Sequence, residues 1–248
     1  MINENYTTNY EVACAILDKL ENGGGTGGNA IYPTRINFKD QTDVQEIDIS
    51  SIEFDKISSL NEFLKNCTNL TRLTGVNNLK NISNVSEIIG MYTNTPNLID
   101  DGGFHSLPFS EKITTEVSGT FNKCGLPSID ISRWTAKYKG SLSQFFREAK
   151  ATYINISNQD FSNVTSITTT TFDYCYELEE VECENTIFPA VNFIYFAAST
   201  KLSKQSILDM FNQLPTASAT VKIPRNILNN LTEDELLIAT NKGWTVNA

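Results

Sequence analysis

A pattern of one large apolar residue, two mostly polar residues and one small residue recurs six times along the chain. Successive small positions lie 24 to 29 residues apart. The large positions are Leu64, Tyr92, Phe121, Phe146, Phe172 and Phe196, and the small positions are Cys67, Thr95, Cys124, Ala149, Cys175 and Ser199. A fixed period of this length predicts stacked repeat units, because a single unit cannot bury its apolar side alone.

Short segments that alternate apolar and polar residues follow several copies of the pattern. Such alternation puts every second side chain on the inner face of a strand. The predicted strands are Glu46–Ser50, Arg72–Thr74, Ser128–Ser132, Tyr153–Ser157 and Glu180–Cys183. Stacked units would pair these strands in parallel, so the predicted fold class is α/β, a solenoid with a short-stranded parallel sheet. The segment from Ile99 to Glu116 lacks the alternation and is predicted to be an inserted loop.

The small positions have a steric explanation. Neighbouring units approach closely there, so cysteine, alanine, serine and threonine interchange while a large side chain would not fit. The chain has five cysteines, an odd number without CxxC spacing, so we predict neither a disulfide framework nor a zinc site. The residues predicted to pack between repeats are Leu64, Cys67, Phe121, Cys124, Phe146, Phe172, Cys175 and Phe196.

These elements together resemble the BspA-like leucine-rich repeats. A unit of that family has a pair of large residues, two polar residues, a cysteine or small residue, a leucine and a strand similar to I-D-x-S. The matching segments are Cys67–Leu70, Ile129–Ser132, Asp160–Thr165 and Cys175–Leu178, with Lys80–Ser86 as a second copy of the connection. The resemblance covers residues 36–202 and implies a leucine-rich-repeat solenoid that binds a partner. Such repeats occur on bacterial surfaces, in some protist proteins and in bacteriophage structural proteins.

Residues 203–248 have a different pattern, which predicts a C-terminal α/β cap over the last open repeat. The first predicted helix is capped by Ser203 and runs to Leu214, and a strand follows at Ala219–Ile223. A second helix begins with a capping box of Thr232 and Glu235 and ends at Gly243, before a strand at Trp244–Val246. The stretch 238–244 also resembles the C-terminal ending of phage-encoded proteins that carry these repeats.

The N-terminal residues 1–22 predict an anchor helix. Its apolar stripe is formed by Tyr10, Ala13, Ile16, Leu17 and Leu20. The glycine-rich residues 23–30 would link it flexibly to the repeat domain at 31–202. A short helix held away from its domain is marginal alone, so we interpret it as an anchor on other virion proteins or on copies of itself. The alternative is that the helix folds back as a cap on the first repeat.

Charge and composition argue against several functions. The net charge of −10 and the lack of basic runs argue against nucleic-acid binding, and no stretch is apolar enough for membrane insertion. The single histidine, His105, lies outside any nucleophile motif, and the acidic run Glu180–Glu184 is typical of a solvated strand face. We therefore predict no catalytic residue, no metal and no cofactor.

The function predicted from these features is binding or assembly. Candidate contacts for a host surface protein or glycan are Trp134, Tyr153, Tyr174 and Tyr176, although aromatic residues in such repeats more often lie in the core. The first ten residues lack the regions of a signal peptide. The predicted protein is a bacteriophage virion component: a fibre, decoration or receptor-binding protein. The alternative is a bacterial or protist adhesin at the cell surface.

Overall fold

The computed structural model describes residues 36–79, 82–114, 117–167, 171–194 and 196–248. The chain from Arg35 to Ala248 forms one compact unit that mixes short strands with helices. The predicted anchor helix, its five apolar residues and the glycine-rich linker lie outside the described residues, as does Cys14.

All strand pairs are parallel. The strands are β1 (Glu46–Asp48), β2 (Arg72–Thr74), β3 (Ser128–Asp130), β4 (Gly140–Ser141), β5 (Tyr153–Asn155), β6 (Val164–Ser166), β7 (Glu180–Glu182), β8 (Phe193–Ile194), β9 (Ala219–Lys222) and β10 (Trp244–Asn247). The helices are α1 (Lys204–Gln213), α2 (Arg225–Leu228) and α3 (Glu233–Thr240), with 3-10 turns at Phe54–Lys56, Val76–Asn78 and Phe104–Ser106. The sheets are β1-β2, β3-β5-β7, β4-β6 and β10-β9-β8, so the fold is α/β with short parallel sheets.

Strand partners are one repeat apart in sequence. Ile129 of β3 pairs with Ile154 of β5, which pairs with Val181 of β7. All three side chains are buried, while the residues on either side of them point outward. The predicted alternation therefore sets which residue of each strand enters the core.

The strands β1, β3 and β5 end two residues earlier than predicted, because a polar side chain turns the backbone. The Asp130 carboxylate accepts a hydrogen bond from the N–H of Ser132, and Asn155 does the same for Ser157, each at 2.9 Å. An Asp or Asn side chain that bonds the backbone two residues ahead mimics a turn and competes with the strand ladder. The I-D-x-S-like segments are thus strand ends, and not continuous five-residue strands.

A second ladder joins the turns that contain the large residues. The N–H of Tyr92 donates to the carbonyl of Thr120, and the N–H of Phe121 donates to that of Phe145, both at 2.8 Å. Two columns of residues in these turns have left-handed backbone, with φ between +56° and +66°. One column is Glu62, Gly90, Gly119 and Gln144, and the other is Asp40, Asn66, Asn94, Lys123, Glu148 and Tyr174.

The left-handed turns predict opposite effects for two substitutions. At Gly119 an added Cβ would have room, since the nearest atom is the Thr93 hydroxyl at 3.4 Å, but φ is +66°. We expect Gly119→Ala to lower the free energy of unfolding by about 1 kcal/mol through backbone strain. Lys123→Gly should raise it by a similar amount, because Lys123 is also left-handed, with φ +56°. Urea denaturation checks both; a stabilising Gly119→Ala would contradict the turn geometry.

Five of the six large residues, all but Leu64, form one column of aromatic rings through the core. Ring centroids lie 5.4 Å apart for Tyr92 and Phe121, 5.6 Å for Phe121 and Phe146, 4.9 Å for Phe146 and Phe172, and 4.6 Å for Phe172 and Phe196. All eight residues predicted to pack between repeats are buried. The recurring large residue therefore continues the same column in each of these five units.

The segment predicted as an inserted loop has irregular turns, but it contributes core residues and bonds the backbone of the next unit. Within 99–114, Phe109 and Ile113 are fully buried, and their carbonyls accept the N–H groups of Thr135 and Lys137 at 2.8 Å. The inward residues follow irregular turns rather than a strand, so no alternation of period two is visible in the sequence. The loop prediction was therefore wrong for the described part of this segment.

The C-terminal elements follow their sequence signals. Ser203 caps α1, and Thr232 with Glu235 forms the capping box of α3, as predicted. Helix α2 was not predicted, because a single helical turn carries no periodicity. At the edge of β7, the Ser206 hydroxyl of α1 accepts the N–H of Val181 at 2.9 Å. A side chain thus takes the place that the next strand of the ladder would occupy.

Candidate functional site

The outward face of the short strands is mainly acidic. Its residues are Glu46 and Asp48 of β1, Arg72 and Thr74 of β2, Ser128 and Asp130 of β3, Tyr153 and Asn155 of β5, and Glu180 and Glu182 of β7. Arg72 approaches the Asp100 carboxylate at 3.6 Å, and both side chains are more than half exposed. Solvation and screening make such an exposed pair weak. The face therefore carries negative charge that is only partly compensated.

Tyr153 occupies the middle of this face. It lies between Ser128 and Glu180 in the strand register and is half-buried. Burial raises its pKa, and the neighbouring carboxylates of Glu182 and Asp130 raise it further. The phenol therefore stays protonated at neutral pH and can donate a hydrogen bond.

A groove of about 410 Å³ lies between the end of β7 and helix α1. It is lined by Ser157, Glu182, Cys183, Glu184, Asp209, Asn212 and Gln213. Among the residues that the structure describes, no three His, Cys, Asp or Glu side chains are placed to hold a metal ion. The groove is thus a polar, acidic surface continuous with Glu182 of the strand face.

Trp134 is not a surface contact, contrary to prediction. Its side chain is buried, packs edge-on against Phe109 with centroids 4.9 Å apart, and donates its indole N–H to the carbonyl of His105 at 2.7 Å. The sequence placed it beyond a strand end, where a core position has no periodic signal. Trp134 therefore joins successive repeats through the core.

Tyr174 and Tyr176 lie at the surface of a repeat turn. Their side chains are 40% and 56% exposed, and their ring centroids are 5.8 Å apart at an interplanar angle of 48°. Arg147 of the preceding turn places its guanidinium carbon 5.3 Å from the centre of the Tyr174 ring and pairs with Glu148 at 2.9 Å. Arg147 was not among the predicted contacts, because nothing in its local pattern distinguishes it from other charged turn residues.

A buried carboxylate organises the core near His105. Asp101 accepts hydrogen bonds from the hydroxyl of Tyr92 at 2.7 Å, from the N–H groups of Gly103 and His105, and from Nδ1 of His105 at 2.9 Å. Burial alone would raise the pKa of Asp101, but the hydrogen bonds from His105 and Tyr92 outweigh it and lower the pKa. Because an ionised carboxylate only accepts, Nδ1 of His105 carries the proton.

This Asp101 cluster contains a carboxylate–histidine pair, and the hydrogen bonds of the carboxylate with Tyr92 and His105 lie within the core. The cluster fixes the turn that contains His105, and the Trp134 bond ties that turn to the next repeat. The nearby Cys124 is completely buried, and burial raises its thiol pKa to about 12. A thiol in this state is not ionised at neutral pH and cannot act as a nucleophile.

The other described thiols have the same character. Burial raises the pKa to about 11 at Cys67 and to about 12 at Cys175 and Cys183. Cys67 donates its S–H to the carbonyl of Phe38 at 3.1 Å, and Cys175 donates to Phe146 at 3.0 Å. These cysteines bond the backbone of the preceding repeat, which adds a polar role to the steric one.

No family model, curated protein or solved structure matches the chain. In the described residues, no helix has both the length and the apolar character needed to cross a bilayer.

Proposed function

We propose that the chain is a non-enzymatic binding protein with a solenoid of the leucine-rich-repeat type, similar to BspA-like repeats. The supporting observation is backbone pairing one repeat apart, in the strands and again in the turns. Thiols and carboxylates are reactive groups in many enzymes, but here they stabilise the repeats. The thiols donate hydrogen bonds to carbonyls of the preceding repeat, and the carboxylates at the strand ends close turns. These uses of the side chains support a binding role for the outward strand face.

Its biological role, in this proposal, is that of a bacteriophage virion component: a fibre, decoration or receptor-binding protein. Residues 1–22 attach it to other virion proteins or to copies of itself, and residues 23–30 give the repeat domain freedom to reach a host surface protein or glycan. The apolar stripe of the first segment, the glycine run and the ending at 238–244 support this role. The alternative is a bacterial or protist adhesin at the cell surface.

The test is incorporation into purified virus particles. We expect the double substitution Ile16→Asp and Leu17→Asp to remove the protein from particles, because charge on the apolar stripe prevents its burial against a partner. The matched control is Glu11→Ala with Lys19→Ala, which changes only the polar side and should leave the copy number unchanged. Normal incorporation of the Asp variant would refute the anchor.

Solution mass distinguishes the two kinds of attachment partner. If copies of the chain associate through the first segment, light scattering should give an oligomer for the wild type and a monomer for the Asp variant. A wild-type monomer would indicate another virion protein as the partner. For the adhesin alternative, protease treatment of intact uninfected cells should release the chain, and failure to release it would count against that reading.

A further inference from the structure

The exposed tyrosine pair has an unusual backbone. Tyr174 has φ +60°, in a column whose other members include Asp40, Asn66 and Asn94. Asparagine and aspartate tolerate this conformation, whereas a bulky aromatic residue there is uncommon. The Tyr174 ring does not fill the core, because it is 40% exposed. The repeat turn sets this backbone conformation, and it leaves the Tyr174 ring exposed beside the ring of Tyr176.

The surroundings of the pair are polar and charged. Arg147 covers the Tyr174 ring and pairs with Glu148, and on the following turn Lys201 pairs with Glu177. Within the described structure, Nε of Arg147 is buried without a hydrogen-bond partner. Lys150 occupies the position equivalent to Tyr176 one repeat earlier. Two aromatic rings are therefore bordered by hydrogen-bonding groups of both charges.

The area of the patch decides between a protein and a small polar ligand. An aromatic side chain offers roughly 200 Å² for burial, so the exposed parts of Tyr174 and Tyr176 amount to roughly 200 Å² together. A stable protein interface needs roughly 800 Å² from each partner. Tyr174 and Tyr176 are the two exposed aromatic residues among the large exposed apolar residues of the described chain, and their rings lie together. The area suits one or two sugar rings.

We propose that Tyr174 and Tyr176 bind the pyranose rings of an uncharged glycan. A pyranose has an apolar C–H side that packs on an aromatic ring, and hydroxyl groups around its edge that bond charged side chains. Arg147 and Glu148 supply a donor and an acceptor at this edge. Arg147 is paired with Glu148 and Lys201 with Glu177, so among these four side chains neither sign of charge is in excess to select a charged sugar. The inference rests on the proposed binding function and names its ligand class.

The experiment is a titration of the full chain with methyl glucosides, methyl galactosides and trisaccharides of glucose or galactose. Binding is detected in 1H–15N NMR spectra of the protein. We expect shifts at the amides of Tyr174, Tyr176 and Arg147, with a Kd of roughly 1 mM or weaker for a monosaccharide and tighter binding for a trisaccharide. The variant Tyr174→Gly with Tyr176→Ala should weaken binding at least tenfold. Glycine suits the left-handed backbone, so the variant should keep its fold.

Two controls separate the outcomes. Ile187→Ala changes another exposed apolar residue and should bind sugars as the wild type does. If a glucan or galactan resin retains the wild type but not the tyrosine variant, the ligand is a polymeric glycan. If the protein binds the trisaccharide but is not retained on the resin, the ligand is a free sugar. Shifts that depend on protein concentration and not on sugar would mean self-association, and would overturn the proposal.

Absence of any sugar response at these amides would overturn it as well. Loss of glycan binding leaves particle incorporation unaffected, because the anchor variants change residues 16 and 17 and the glycan variants change residues 174 and 176. The glycan inference and the virion proposal therefore fail independently.

Discussion

Asp101→Asn is expected to lower the free energy of unfolding by about 2–4 kcal/mol, because buried hydrogen-bond donors are left without an acceptor at about 1–3 kcal/mol each. The carboxylate accepts four hydrogen bonds, from Tyr92, Gly103 and two nitrogens of His105. An asparagine of the same shape turns an N–H₂ group toward some of these donors, so buried donors lose their acceptor. Urea denaturation followed by circular dichroism measures the change.

The neighbouring Asp100 provides the matched control. It is also an aspartate that closes a turn, by accepting the N–H of Gly102, but its side chain is 54% exposed. Asp100→Asn should therefore cost no more than about 1 kcal/mol. Equal losses for the two variants would show that burial of the Asp101 cluster contributes nothing.

The Asp101 cluster also gives stability a defined pH dependence. The folded state lowers the pKa of Asp101 below its ordinary value of 3.8. A group with a lowered folded pKa contributes stability above its unfolded pKa and loses it as pH falls through the folded value. The stability difference between wild type and Asp101→Asn should be constant at neutral pH and should shrink below pH 3.8. A difference that grows on acidification would contradict the ionised carboxylate.

Phe121→Ala is expected to cost about 3–5 kcal/mol, the ordinary penalty for a buried phenylalanine. The ring lies between Tyr92 and Phe146, at 5.4 and 5.6 Å, and is completely buried. Its removal opens a cavity in the middle of the aromatic column, so Tyr92 and Phe146 lose the ring that packs between them. Because repeat stability depends on such interfaces, we expect the single unfolding transition to broaden or divide.

Phe121→Leu is the control for this prediction. Leucine keeps most of the volume and the apolar character, so the loss should be about 1.5 kcal/mol or less, with one sharp transition. Denaturation of both variants, followed by two optical probes, checks the cost and the cooperativity. A loss below about 1 kcal/mol for the alanine variant would mean that the column is not continuous at this point.

The sequence was sufficient for the features that recur with a fixed period. The large and small positions are buried, and the middle residues of the strands point inward, because burial in every unit selects the same residue types. The caps of α1 and α3 could also be predicted from the sequence, since a cap depends on a few adjacent residues.

Features that depend on contacts between residues distant in sequence could not be predicted from the sequence. Lys123 and Gln144 have left-handed backbone because of the turns above and below them, although neither residue type favours it. Trp134 is in the core because His105, 29 residues earlier, offers its carbonyl to the indole. The partners of Asp101 follow no motif. At the candidate surface, the sequence predicted the two aromatic residues Tyr174 and Tyr176. It did not predict Arg147 as their neighbour, since Arg147 belongs to another repeat.

The Ser206 hydroxyl on the N–H of Val181 has a consequence for how the protein can change in length. Helix α1 occupies the end of the ladder, so a further repeat cannot be appended after β7 without displacing that bond. An internal duplication meets no such obstacle, because a unit copied between β3 and β7 would find parallel partners on both sides. Longer and shorter versions of this chain can therefore arise by gain or loss of whole internal units, while the two ends keep their own sequences.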